Sequence, residues 1–163
     1  MTSHFLQAAL LVITALFLAS LPRMLIRHIK SLWNFDYAMR GVAAAAVTRA
    51  LKEYKIVLDF SPASVQQVEQ NILAKLHEIH LKKPMSAAEL AQASITWGAY
   101  IGEVLKRTKG GQWQRNSRGI GKGTMPIVFA PGNEAFPSAW VYKRITHGAD
   151  DNVAFKFQVL TSS

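Results

Sequence analysis

The stretch SAAELAQASITWGAYIGEVLKRT, Ser86 to Thr108, constrains the fold of this chain more than any other. It opens on S-A-A-E, a capping box in which the Ser86 side chain can take an orphan amide while Glu89 reaches back. At about 100° per residue, Ala87, Ala91, Ser94, Gly98 and Gly102 fall on one narrow stripe. Leu90, Trp97, Ile101 and Val104 lie directly beside it, and Glu89 and Glu103 point away. Two interior glycines cost a helix about 1 kcal/mol each against alanine. Close packing against a neighbouring element is the natural compensation, so this stretch is expected to be a tightly packed helix.

Further helices are legible around it. FDYAMRGVAAAAVTRALKEY places Val42, Val47 and Leu51 at helical spacing, and its uninterrupted alanines would let another helix approach closely. KIVLDFS is either a strand or an extended linker. Ser61 and Pro62 then read as an N-cap and first helical position. Val65, Val68, Ile72, Leu76 and Ile79 continue that helix to about His80. Beyond Gly110 and Gly111 the texture changes: QWQRNS, a glycine-rich turn and TMPIVFAP read as two strands of a hairpin or small sheet. AFPSAWVYKRITHG is expected to be helical, with Val141 and Ile145 inward and Gly148 as its stop. DDNVAFKFQVL suits helix and strand alike, its aspartates favouring a helix start.

The amino-terminal part has a different character. FLQAALLVITALFLASL, Phe5 to Leu21, holds no charge over 17 residues, and as a helix it would rise roughly 25 Å. With Pro22 to Ile26 it reaches the hydrocarbon thickness of a bilayer, roughly 30 Å. No basic residue precedes it, whereas Arg23, Arg27 and Lys30 follow, the pattern of an uncleaved anchor with its carboxy-terminal side in the cytoplasm. The sequence therefore predicts a single-pass protein of the bacterial inner membrane with a soluble domain on the cytoplasmic side. Residues 1–31 form the anchor and basic juxtamembrane segment, 32–55 an alanine-rich helix and 56–163 a globular domain. The fold class expected is α+β: a transmembrane helix, then three to four helices packed on an antiparallel β-hairpin or small sheet.

Composition narrows the chemistry. The absence of cysteine removes disulfides, thiolate zinc sites and cysteine nucleophiles. Of the net charge of +9, sixteen basic against ten acidic residues beyond Leu32 contribute +6, a field that favours anionic partners. RGIGKGT, Arg118 to Thr124, invites a phosphate-loop reading, but Gly123 follows Lys122 where Ser or Thr is required. A proline-containing β-like stretch also stands where a helix should begin. HEIH places His77 and His80 three apart instead of the four of a zincin helix, with no third ligand in sight. No G-x-S-x-G elbow occurs, and Asp150 and Asp151 are the sole adjacent acid pair. No catalytic residue, cofactor site or metal site is assigned, and the chain is expected not to be an enzyme. The acid–base alternative would rest on the proximity of Glu103 and Tyr100. Between Glu103 and Glu134 lie Lys106, Arg107, Lys109, Arg115, Arg118 and Lys122 without an acid, with Trp113 among them. These seven residues are the candidate partner-binding surface.

The block WGAYIGEVLKRTKGGQW, Trp97 to Trp113, with LDFS upstream at Leu58 to Ser61, resembles an uncharacterised bacterial domain. That domain pairs an L-D-[FY]-S segment with a G-x-Y-x-G-E-V…G-G-x-W block. The resemblance covers about residues 56–160 and is most specific at Gly98, Tyr100, Gly102, Glu103, Gly110, Gly111 and Trp113. It implies a binding module, some members being of the immunity type that accompanies bacterial toxins, and it brings no catalytic residue. The function expected is a non-enzymatic, membrane-anchored binding protein that neutralises a toxin. The alternatives are a membrane-tethered basic module for nucleic acid or anionic lipid, and an accessory subunit of a membrane or secretion complex.

Overall fold

The computed structural model describes residues 34–162, of which those from Phe35 onward belong to one unit, Phe35–Ser163. Helix α1 is Phe35–Arg49 and runs on through a π-helical turn, Ala50–Tyr54. Helix α2, Pro62–Val68, passes through a second π turn, Glu69–Leu73, into α3, Ala74–Lys82. The 23-residue α4, Ala87–Lys109, is the longest element. Strands β1 (Gln112–Trp113), β2 (Ile127–Val128) and β3 (Glu134–Ala135) follow, then α5 (Pro137–His147), a 3-10 turn (Ala149–Asp151) and α6 (Val153–Ser162).

Local chemistry sets the helix starts. The Ser61 side chain accepts from the Ser64 amide, with Pro62 at the first helical position. Ser86 and Glu89 form both halves of a capping box, the Ser86 amide donating to Glu89 Oε2 at 2.7 Å. Helix α4 is the core of the unit and packs on both α1 and α5. Trp97, Tyr100, Ile101, Val104 and Leu105 are fully buried along it. The stripe packs only in its second half: Ser94, Gly98 and Gly102 are buried, whereas Ala87 and Ala91 are exposed. Ala43, Ala46 and Ala50 are the buried face of α1 and its extension, and at Gly98 an added Cβ would stand 2.5 Å from the Ser138 backbone of α5. A second buried tie joins distant parts of the chain: Arg144 Nε donates to Glu69 Oε1 at 2.5 Å, and Glu69 Oε2 accepts the Val153 amide at 2.9 Å.

Two expectations are corrected. The unit is mainly helical and not α+β. Its sheet, in the antiparallel order β1-β2-β3, has strands of two residues each. Past Trp113 the pairing thins to single bonds, from the Gln114 amide to Pro126 O and from the Asn116 amide to Thr124 O, both 2.9 Å; the ambiguous 150–160 segment is helical, a 3-10 turn and then α6, with Asn152 Oδ1 accepting the Phe155 amide at 2.8 Å. The single-pass, inner-membrane placement with a cytoplasmic domain is also overturned: among the described residues no helix is long and apolar enough to cross a membrane. Even α4 carries Glu89, Glu103, Lys106, Arg107 and Lys109. The segment 5–21, on which the anchor was predicted, lies outside the described residues.

Candidate functional site

The residues of the LDFS and GAYIGEV…GGQW segments gather around α4 on two sides, Gly102 meeting the Trp113 ring on one and Tyr100 meeting Phe60 and Ser64 on the other. Gly110 ends the helix, its amide donating to Lys106 O at 2.8 Å, and Gly110 and Gly111 both hold positive φ, 81° and 89°. The chain thereby doubles back and lays the Trp113 ring onto Gly102. A Cβ at Gly102 would stand 2.1 Å from that ring, so glycine is what makes room for the indole. Trp113 Nε1 donates to Glu103 Oε1 at 2.9 Å, and Lys106 Nζ donates to the same oxygen at 3.1 Å. Lys106 also bonds Asp36 Oδ1 from the first turn of α1, and the Trp113 amide reaches that oxygen at 3.2 Å. Arg40 Nη2 pairs with Asp36 Oδ2 at 2.8 Å. Burial opposes the charge on Asp36, but bonds from Lys106 and the Trp113 amide, with the charges of Lys106 and Arg40, hold its carboxyl below the ordinary value.

Tyr100 anchors the other half. Its phenol accepts the Phe60 amide at 3.0 Å and sits 2.6 Å from Ser64 Oγ. The Ser64 hydroxyl donates to Ser61 O at 2.6 Å, so its one proton is spent and the phenol donates to Ser64. Burial raises the Tyr100 phenol, partly offset by the bonds to Ser64 and the Phe60 amide. Phe60 is held at φ 61°, a left-handed conformation that costs a bulky residue roughly 1–2 kcal/mol. Its ring stacks on Tyr100 with centroids 4.8 Å apart at 30°. Arg107 lies over the Phe60 ring, 3.9 Å from its centroid. Arg40, Ala44, Phe60, Glu103, Lys106 and Arg107 line a pocket of about 420 Å³.

The seven partner-binding candidates do not form one surface. Lys106 is largely buried between two carboxylates, and Trp113, read from sequence as an aromatic among cations, is only 3% exposed. Arg107 is exposed on the pocket. Lys109 Nζ donates to Leu160 O at 2.7 Å, and Arg115 lies 5.1 Å from the Phe35 ring centroid. Arg118 and Lys122 are exposed on the glycine-rich loop. That loop spends its amides on itself: Gly119 and Ile120 donate to Ser117 Oγ at 3.1 and 3.0 Å, and Gly123 to Asn116 Oδ1 at 2.9 Å. Ser117 Oγ in turn donates to Glu134. A phosphate would find none of these donors free.

Residues that the sequence did not single out complete the site: Asp36, Arg40 and Ser64. The i,i+4 spacing of Asp36 and Arg40 was the one local signal. His77 and His80 serve as helix ties, His77 Nδ1 to Ile145 O at 2.8 Å and His80 Nδ1 to the Met85 amide at 3.1 Å. Among the described residues no group of three or more His, Asp or Glu could hold a metal ion. Compared with known proteins, the chain matches no family, no curated protein and no solved structure.

Proposed function

We propose that the chain is a non-catalytic binding protein of the immunity type, which captures and neutralises a protein toxin. One observation carries the reading. The groups of the block best suited to chemistry, Glu103 and Tyr100, are each consumed in separate intramolecular networks that hold α1, α4, β1 and the 58–64 segment together. Cations and apolar side chains are left for contact with a partner: Arg107, Arg118 and Lys122 are exposed, as are Phe155 and Val159 on α6 at 66% and 56%. Phe155 and Val159 flank a shallow groove of about 360 Å³ with Trp140 and Leu160. A mixed surface of this kind suits a protein interface better than a reaction centre.

The test is co-expression with toxins encoded beside the gene. Protection of the host and recovery of a one-to-one complex are expected; neither protection nor complex with any of them refutes the reading. The exposed Arg115, Arg118 and Lys122 favour a second reading, a basic module for nucleic acid, which requires binding that falls steeply with salt. Burial of Trp113 removes the aromatic platform on which such a module would stack bases.

A further inference from the structure

We propose that the pocket between α1 and α4 is a socket for a single carboxylate, presented by an acidic side chain of the protein partner and gripped by Arg107 from its perch on Phe60. The choice of a protein carboxylate rests on the binding function proposed above. Three cations and one carboxylate line the pocket: Arg40, Lys106, Arg107 and Glu103. Their charges are not equally spoken for. Lys106 is shared between Glu103 and Asp36, and Arg40 is paired with Asp36. The Arg107 side chain makes no ion pair and no hydrogen bond among the described residues; its guanidinium lies over the Phe60 ring, which leaves the N–H fork open for a planar anion.

Counting Asp36, the group carries three positive and two negative charges, an excess of one. That excess matches a monoanion. A phosphate dianion would be undercompensated and would meet Glu103 in the wall, and a nucleic acid needs a track of cations, not one pocket with a carboxylate inside. The perch itself is a built feature. Phe60 is kept in a left-handed conformation by the Tyr100 phenol on its amide and the stacked Tyr100 ring beneath it. Strain held this firmly at a pocket wall is where recognition elements are found.

The experiment uses the full chain labelled with ¹⁵N in arginine side chains, titrated with a capped peptide carrying one glutamate between glycines. The Arg107 Nε–H and Phe60 ring resonances should shift saturably, and the glutamine twin of the peptide should leave them still. R107Q should weaken the binding at least tenfold, R107K should recover part of it, and K82Q, an exposed cation on α3 outside the pocket, should bind like wild type. Absence of a saturable shift overturns the socket. So does R107Q binding as tightly as wild type, or inorganic phosphate or a DNA oligonucleotide moving the same resonances at lower concentration. The two proposals fail separately. R107Q protecting against a toxin as well as wild type removes the socket and leaves the binding function. A socket that takes the glutamate peptide in a chain that neutralises no toxin does the reverse.

Discussion

Gly102→Ala is the sharpest probe of how the site is held. A Cβ there would stand 2.1 Å from Trp113 Cζ2, 2.6 Å from Cη2 and 2.9 Å from Ile127 Cδ1. Ordinary contact requires the indole to withdraw by roughly 1.3 Å, and the ring is wedged in the core with its Nε1 bonded to Glu103. Overpacking of this kind costs about 1–3 kcal/mol, and a strained or lost bond to a carboxylate adds about 1.5–3 kcal/mol. Alanine's better helix propensity returns about 1 kcal/mol, so the net loss is about 1.5–5 kcal/mol. In a unit of this size that lowers Tm by about 5–20 °C. Gly41 is the internal control: it lies inside α1 with nothing within 4 Å of an added Cβ, so G41A should stabilise by up to about 1 kcal/mol. Urea melts followed by far-UV circular dichroism measure both, and near-UV signals report the displaced indole. In a W113L background the penalty at Gly102 should shrink to near zero. G102A as stable as wild type, or stabilised like G41A, would refute the glycine–tryptophan contact as the reason for glycine here.

Three further outcomes follow from the same structure. R144M strands the Glu69 carboxylate in the core and should cost about 3–5 kcal/mol in urea melts. Asp36 has a native carboxyl value depressed below the unfolded one. Its contribution is therefore complete above the usual carboxylate value of about 3.9 and disappears as pH falls through the native value; the stability gap between wild type and D36N should close on acidification from pH 6. R118Q combined with K122Q changes exposed loop positions only and should move stability by no more than about 0.5 kcal/mol.

Features written within one turn were legible in the sequence. The Ser61 cap and the Ser86–Glu89 box depend on side chains three residues from their partners, and the stripe ending in Gly98 and Gly102 reports helix packing through periodicity alone. What depends on distant partners was not legible. Trp113 among basic residues looks like an exposed aromatic until the doubled glycine turn brings it back onto Gly102. The Glu69–Arg144 pair spans 75 positions, and no spacing rule announces it. The sheet was over-read because TMPIVFAP has strand composition, whereas only Ile127 and Val128 find partners on both sides. The 153–160 segment was undecidable by periodicity. Asn152 capping the Phe155 amide, and Glu69 taking the Val153 amide, resolve it as helix.

The assembly of Phe60, Tyr100, Gly102, Glu103 and Trp113 carries one more consequence. These residues look like a signature of activity, yet each is occupied in holding one part of the chain against another. Two chains that shared this block would therefore share a chassis without sharing a target. Their targets would be written in the positions the clasp leaves unconstrained, at Arg107, along the 118–122 loop and on the outer face of α6. Swapping those positions between such chains should transfer the partner while the clasp, and the stability it confers, stays behind.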